Sequence, residues 1–179
     1  DADRVGHAML LPGTTTWLAV REAFGDGILR PNGEIDRKAL GRIVFSDRAR
    51  LLELNAILHP EVGREIARRI SEFGQSARRG VVVVEAALMV ETGAYRMYHR
   101  LVVVTCDPSL QLSRLMRRDG LSEEEARARI ASQMPAEEKV KLAHYTIDAS
   151  GTLEQTRGRV ERVYKELILL DPVRLNPSS

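Results

Sequence analysis

At 179 residues, with 44% hydrophobic and 29% charged residues, the chain is sized for one globular domain with room for a small attached subdomain. A formal charge of +2 gives no argument for a nucleic-acid partner, and the longest apolar runs, at 81–84 and 86–90, are too short to span a bilayer. The single cysteine, Cys106, cannot close an internal disulfide, which with no recognisable leader or lipidation motif points to the cytoplasm.

Residues 1–7 read DADRVGH, with two readings. Asp3 caps a helix over 4–10, or the segment presents a carboxylate at a strand end, as a base or a Mg²⁺ ligand. Pro12 and Gly13 then open a helix that runs to Phe24 and stops at Gly25. Pro31, Asn32 and Gly33 turn a small hairpin over 28–35. Asp36 caps a helix over 37–45, and Ser46 and Asp47 start another that reaches Leu58. His59 and Pro60 are expected to break it, because a residue before proline is pushed out of the helical region. Pro60 then heads a further helix over 61–73, where Arg64, Arg68 and Arg69 read as a solvated face.

The valines at 81–84 form a continuous β-branched run, suited to a strand covered on both faces. Glu85 follows at its carboxyl end, where open α/β sheets bind ligands. A second strand is expected over 101–105 and a third over 145–147, with helices between them. Thr152 and Gln155 make a capping box for a last helix reaching Leu170, and residues 171–179 read as a loose tail. Strands alternating with helices define an α/β fold with a mainly parallel sheet.

Between the second and third strands lies an arginine-rich stretch. Gln111, Arg114, Arg117 and Arg118 follow Asp107 and Pro108, and Arg114 and Arg118 share a helix face. Ser122 and Glu125 cap a second helix, on which Arg129 and Gln133 share a face. Taken alone these arginines read as solvated. Taken with the acids at Asp3 and Glu85, they form a flap able to place positive charge over phosphates. His7, His59, His99 and His144 are too scattered for a zinc site, and no G-x-S-x-G or G-x-G-x-x-G sequence is present. A basic surface interleaved with aromatics, as for RNA, is not visible.

The order and spacing of these segments resemble dephospho-CoA kinases, P-loop kinases related in fold to nucleoside monophosphate kinases. The markers are DAD-x-x-x-H at 1–7, Leu58-His59-Pro60, Glu85 followed by LMVETG, Gln111-Leu-x-Arg114-Leu-x-x-Arg118-Asp119, Arg129-Ile-x-x-x-Gln133, and Ile147-Asp148 followed by Gly151. The resemblance runs from Asp1 to about Leu167. It implies a P-loop-kinase-like sheet flanked by helices, with a helical CoA-binding subdomain over about 36–80 and a lid over about 111–135, all in one kinase domain. It implies transfer of the ATP γ-phosphate, with Mg²⁺, to the 3′-hydroxyl of dephospho-CoA. In that reading Asp3 is the base. His7, His59, Pro60, Glu85 and Glu91 belong to the acceptor site. Arg114, Arg118, Arg129 and Gln133 belong to the lid over ATP, with Asp148 and Gly151 near adenine; no metal ligand is assigned and no oligomeric state is implied.

Three departures stand out. Glu85-Ala86-Ala87 replaces an Asp-x-Pro, with Glu91 keeping the second carboxylate. Ala143-His144 replaces an Ala-Asp, and Ala149-Ser150 replaces an Asn-containing pair. The third and largest is that none of Lys38, Lys139, Lys141 or Lys165 lies in a G-x-x-x-x-G-K-S/T loop. The family places that loop and its strand just before DAD. The expectation is an N-terminally truncated chain, inactive and marginally stable alone, whose sheet lacks its central strand. The alternatives are another P-loop small-molecule or nucleoside monophosphate kinase, or a non-catalytic CoA- or nucleotide-binding regulator that has lost its P-loop.

Overall fold

A computed structural model describes residues 1–76 and 80–170, with the side chain of Phe45 excepted. The loose tail read at 171–179 and part of the loop before Gly80 lie outside the described residues. The chain divides into two compact units, Asp1–Ala87 and Leu88–Ser179.

The first unit is helical. Helix α1 (Ala2–Met9) is capped by Asp1, whose carboxylate accepts the Arg4 amide at 2.9 Å. Asp3 is therefore not the cap but an acid in the first turn, where the helix dipole favours it. Helix α2 (Thr15–Phe24) starts later than Pro12 suggests. Gly13 has φ of +89°, outside the helical region, and Thr14 becomes the cap by accepting the Trp17 amide at 3.0 Å. A 3-10 turn at Asp26–Ile28 leads into the small hairpin, closed by a Leu29–Ile35 bridge and an Arg30-to-Glu34 backbone bond of 2.8 Å. Gly33 supplies the positive φ, +81°, that this turn requires.

Helix α3 (Arg37–Ser46) begins at Asp36, which accepts the Lys38 and Ala39 amides at 2.9 and 3.2 Å. Helix α4 (Arg48–Ser76) is one rod of 29 residues, not two helices, and Pro60 lies inside it. Proline removes one backbone donor and crowds the preceding turn. The helix holds on both sides of that defect. Leu54 is buried in the core before it, and Val62 lies under α1 after it, with its Cγ2 3.7 Å from where a Cβ on Gly6 would sit. Val20, Phe24, Ile28, Ile35, Leu40, Val44 and Leu54 form the core of this unit. Val20 and Phe24, like Leu40 and Val44, are one helical turn apart, and Val20 and Ile28 are fully buried. Each such side chain contributes roughly 1.5–3 kcal/mol by leaving water.

The valines at 81–84 do not form a strand among the described residues. The run is irregular and Val83 is 78% exposed. β-propensity expresses fit to a pleated, paired surface, and no described strand pairs with this run.

The second unit holds a small parallel sheet. Strand β1 (Val102–Thr105) pairs with β2 (Tyr145–Asp148) in the register Val102 to Tyr145 and Thr105 to Asp148. Between them run α5 (Pro108–Asp119), α6 (Glu123–Ala131) and α7 (Ala136–Leu142). Helix α8 (Leu153–Leu169) follows β2. Its capping box, Thr152 with Gln155, and that of α6, Ser122 with Glu125, both form. Val90, Leu101 and Val103 make the core here. The fold is mixed α/β, mostly helical, with the parallel pairing expected of β1 and β2.

Candidate active site

In the first unit, α1 presents DAD. The Ala2 amide, one of the unpaired donors of a helix start, donates to the Glu85 carbonyl at 2.8 Å. That bond fixes the first turn of α1 to the end of the valine run, so Asp3 and Glu85 are brought to one place. Both side chains are exposed, and neither makes a hydrogen bond or ion pair among the described residues. His7 follows Asp3 by one turn on the same face. Partial burial of the imidazole and the nearby Arg37 guanidinium lower its pKa, and the Asp3 carboxylate opposes them. His7 thus takes up a proton less readily than a free imidazole. Arg37 is a neighbour that sequence reasoning missed; its only signal is its place directly after the Asp36 cap. His59 and Pro60 are exposed on α4, the helix on which α1 packs.

The arginines after Pro60 are engaged as a solvated surface. Arg68 bonds Glu65 and Glu72, Arg69 bonds Glu65 at 2.7 Å, and Arg64 pairs with Glu61. Arg68 and then Arg69 hold the Glu65 carboxyl down to about 2. The network pairs these arginines with carboxylates of their own helix.

In the second unit, Glu91 is held by neighbours of its own unit. Its Oε1 accepts the Met134 amide at 3.0 Å and the Lys139 ammonium at 2.7 Å, and its side chain is only 20% exposed. Its Oε2 is buried with no hydrogen-bond partner among the described residues. Burial alone would raise this carboxyl; Lys139 and the Met134 amide more than offset it, and the net shift is downward. Glu91 therefore ties the segment after α6 to the turn at 88–93.

The α5–α6 pair carries the lid candidates. Asp107 caps α5 by accepting the Ser109 amide at 2.8 Å. Arg114 donates from Nη1 to the Ala149 carbonyl at 2.8 Å, joining α5 to the loop after β2. Arg118 grips Asp119 through Nε at 2.7 Å and Nη2 at 3.1 Å, and Arg129 reaches the same carboxylate through Nη1 at 2.8 Å. Gln133 is half-buried just after α6, its amide on the Ile130 carbonyl at 3.2 Å.

The 148–151 loop is rigidly held. Asp148 Oδ1 accepts the Ser150 amide at 2.9 Å, and its Oδ2 meets Arg159 of α8 at 2.9 Å. Ser150 Oγ in turn accepts the Asp107 amide at 2.8 Å. Gly151 has no room for a side chain, since a Cβ would collide with Gln155 Oε1, which the Thr152 amide holds at 2.9 Å. His144, the departure before β2, has a definite job: its Nδ1 accepts the Leu101 amide at 3.0 Å, opening the parallel ladder. The ring proton is accordingly on Nε2.

The second unit carries an arginine-bearing helix pair between two parallel strands, and the helical first unit presents exposed acids; a mixed α/β fold of this kind is the class to which P-loop kinases belong. The profile of the dephospho-CoA kinase family matches residues 1–155. A dephospho-CoA kinase of Symbiobacterium thermophilum is 43% identical over 165 residues, covering 92% of this chain and 69% of the relative. The crystal structure of TT1252 from Thermus thermophilus superposes with a TM-score of 0.79 at 33% identity, covering 93% of this chain and 83% of that one. A dephospho-CoA kinase from Campylobacter jejuni superposes at 0.66 with 30% identity and the same coverage. The chain belongs to the dephospho-CoA kinase family.

Proposed function

We propose that the protein transfers the γ-phosphate of ATP to the 3′-hydroxyl of dephospho-CoA, giving coenzyme A. The observation that carries this reading is the family match across DAD, joined to the geometry around Asp3. An exposed carboxylate in the first turn of α1, a turn anchored to the Glu85 carbonyl through the Ala2 amide, is suited to accept a proton. In this reading the Asp3 carboxylate takes the hydroxyl proton as the 3′-oxygen closes on the γ-phosphorus and ADP leaves. His7, His59 and Pro60 contact the acceptor, with Glu85 beside them, and Glu91 is assigned to the acceptor on the family pattern alone. Arg114, Arg118, Arg129 and Gln133 face the nucleotide, and Asp148 and Gly151 shape the loop for its base.

Among the described residues no group of three or more His, Cys, Asp or Glu could hold a metal ion. Mg²⁺ that rides on phosphates keeps several waters and needs only one or two carboxylates. Glu85, exposed and in no ion pair among the described residues, fits that demand and leaves Asp3 free to take the proton. When bound with ATP, the ion supplies charge neutralisation at the transferred phosphoryl group.

No helix among the described residues is long and apolar enough to cross a membrane.

The test is acceptor choice. The protein expressed from its complete gene, given ATP and Mg²⁺, is expected to phosphorylate dephospho-CoA and to leave nucleoside monophosphates untouched. Turnover with a nucleoside monophosphate and none with dephospho-CoA would move the assignment to another kinase of this fold. Binding of either ligand without turnover would make the protein a regulator.

A further inference from the structure

We propose that Asp119 is the positioning residue of the lid: a single carboxylate that holds Arg118 and Arg129 together, ready for phosphate. The inference rests on the assignment of those two arginines to the nucleotide site made above.

Asp119 is the last residue of α5, and Gly120 turns the chain there with φ of +66°. A carboxylate at a helix C-terminus opposes the dipole and is a poor choice for helix stability. Yet this side chain is 22% exposed, against 70% for Arg118 and 56% for Arg129, and it accepts three hydrogen bonds from them. Arg118 comes from the same helix, whereas Arg129 arrives ten residues later from α6. The Gly120 turn and the Ser122–Glu125 box set the return of α6 that makes the meeting possible.

Two guanidiniums brought this close repel each other, and the carboxylate between them removes that repulsion. It also leaves donors in hand. Arg118 uses Nε and Nη2, Arg129 uses Nη1, and among the described residues neither has another acceptor. Their remaining N–H groups are presented as a pair, pre-oriented before the phosphates arrive, which lowers the ordering cost of the transition state. Exposed ion pairs contribute little to stability. Removing Asp119 is therefore expected to disturb turnover far more than folding.

The experiment compares Asp119→Asn, Asp119→Glu, the double variant Arg118→Ala/Arg129→Ala, and that double variant carrying Asp119→Asn. Each is made in the protein from its complete gene and read as kcat and KM for ATP alongside Tm. Asp119→Asn is expected to lower kcat about tenfold with KM and Tm little changed. Asp119→Glu, which keeps the charge, recovers most of the rate. In the arginine-free background Asp119→Asn has no further effect. Wild-type kcat in Asp119→Asn, with the double variant slow, would overturn the role of Asp119 and leave the lid standing. An equal loss from Asp119→Asn with and without the arginines would also overturn it. Wild-type kcat in the double variant would remove the lid assignment itself.

Discussion

Glu91 holds its surroundings by more than a surface ion pair does, because it is mostly buried and binds a backbone amide as well as Lys139. Glu91→Ala is expected to cost about 2–4 kcal/mol by urea unfolding, since it breaks a partly buried pair and strips the Met134 amide of its acceptor. Glu91→Gln should cost less, because its amide oxygen can still accept from Met134. The folded carboxyl binds its proton less tightly than the unfolded one, despite the burial that works against this. Its contribution is thus complete above the ordinary carboxylate range, about pH 4, and is lost as the pH falls through the lowered folded value. The gap between wild type and Glu91→Gln should accordingly close in acid. A gap independent of pH would mean that charge plays no part. The sequence marked Glu91 as a carboxylate of interest, but its partners lie 43 and 48 residues away, and one-dimensional spacing carries no sign of Lys139. The same holds for Asp119: Arg118 and Arg129 were each legible as lid residues, but their meeting on Asp119 was not, because it depends on the Gly120 turn.

At the scale of elements, Pro60 is the informative anomaly. A proline in a helix interior is about 3 kcal/mol worse than alanine, and Pro60 is exposed, so packing of its own ring does not explain it. Its exposure beside His59 leaves it accessible to a ligand, which fits the acceptor role proposed for it. Pro60→Ala is expected to stabilise the protein by about 1–3 kcal/mol and to raise KM for dephospho-CoA. A gain in stability with KM unchanged would show that Pro60 has no part in the acceptor site. Caps were legible where their chemistry is local: Asp36, Ser122 with Glu125, and Thr152 with Gln155 all act as their spacing implies. The break at Pro60 was misread because packing on both flanks overrides a local preference. The start of α2 was misread because the positive φ of Gly13 outweighs the invitation of Pro12. The valines at 81–84 were read as a strand from composition, which cannot supply the neighbour a strand needs.

For the whole molecule, each unit carries its own set of charged side chains. The first carries the exposed acid anchored by Glu85, and the second carries arginines pinned by carboxylates and carbonyls. Charge of each sign is thereby built on rigid helices, which suits a reaction run mainly by positioning and electrostatics. Family membership was legible because several weak motifs recur in one order, although no single motif is specific. The measurement that tests the central claim most directly is the rate of CoA formation by Asp3→Asn against wild type, in the protein from its complete gene with saturating ATP and Mg²⁺. The account predicts a fall in kcat of about 100-fold or more, with unfolding unchanged. A rate equal to wild type would contradict it, and would place the base elsewhere than on α1.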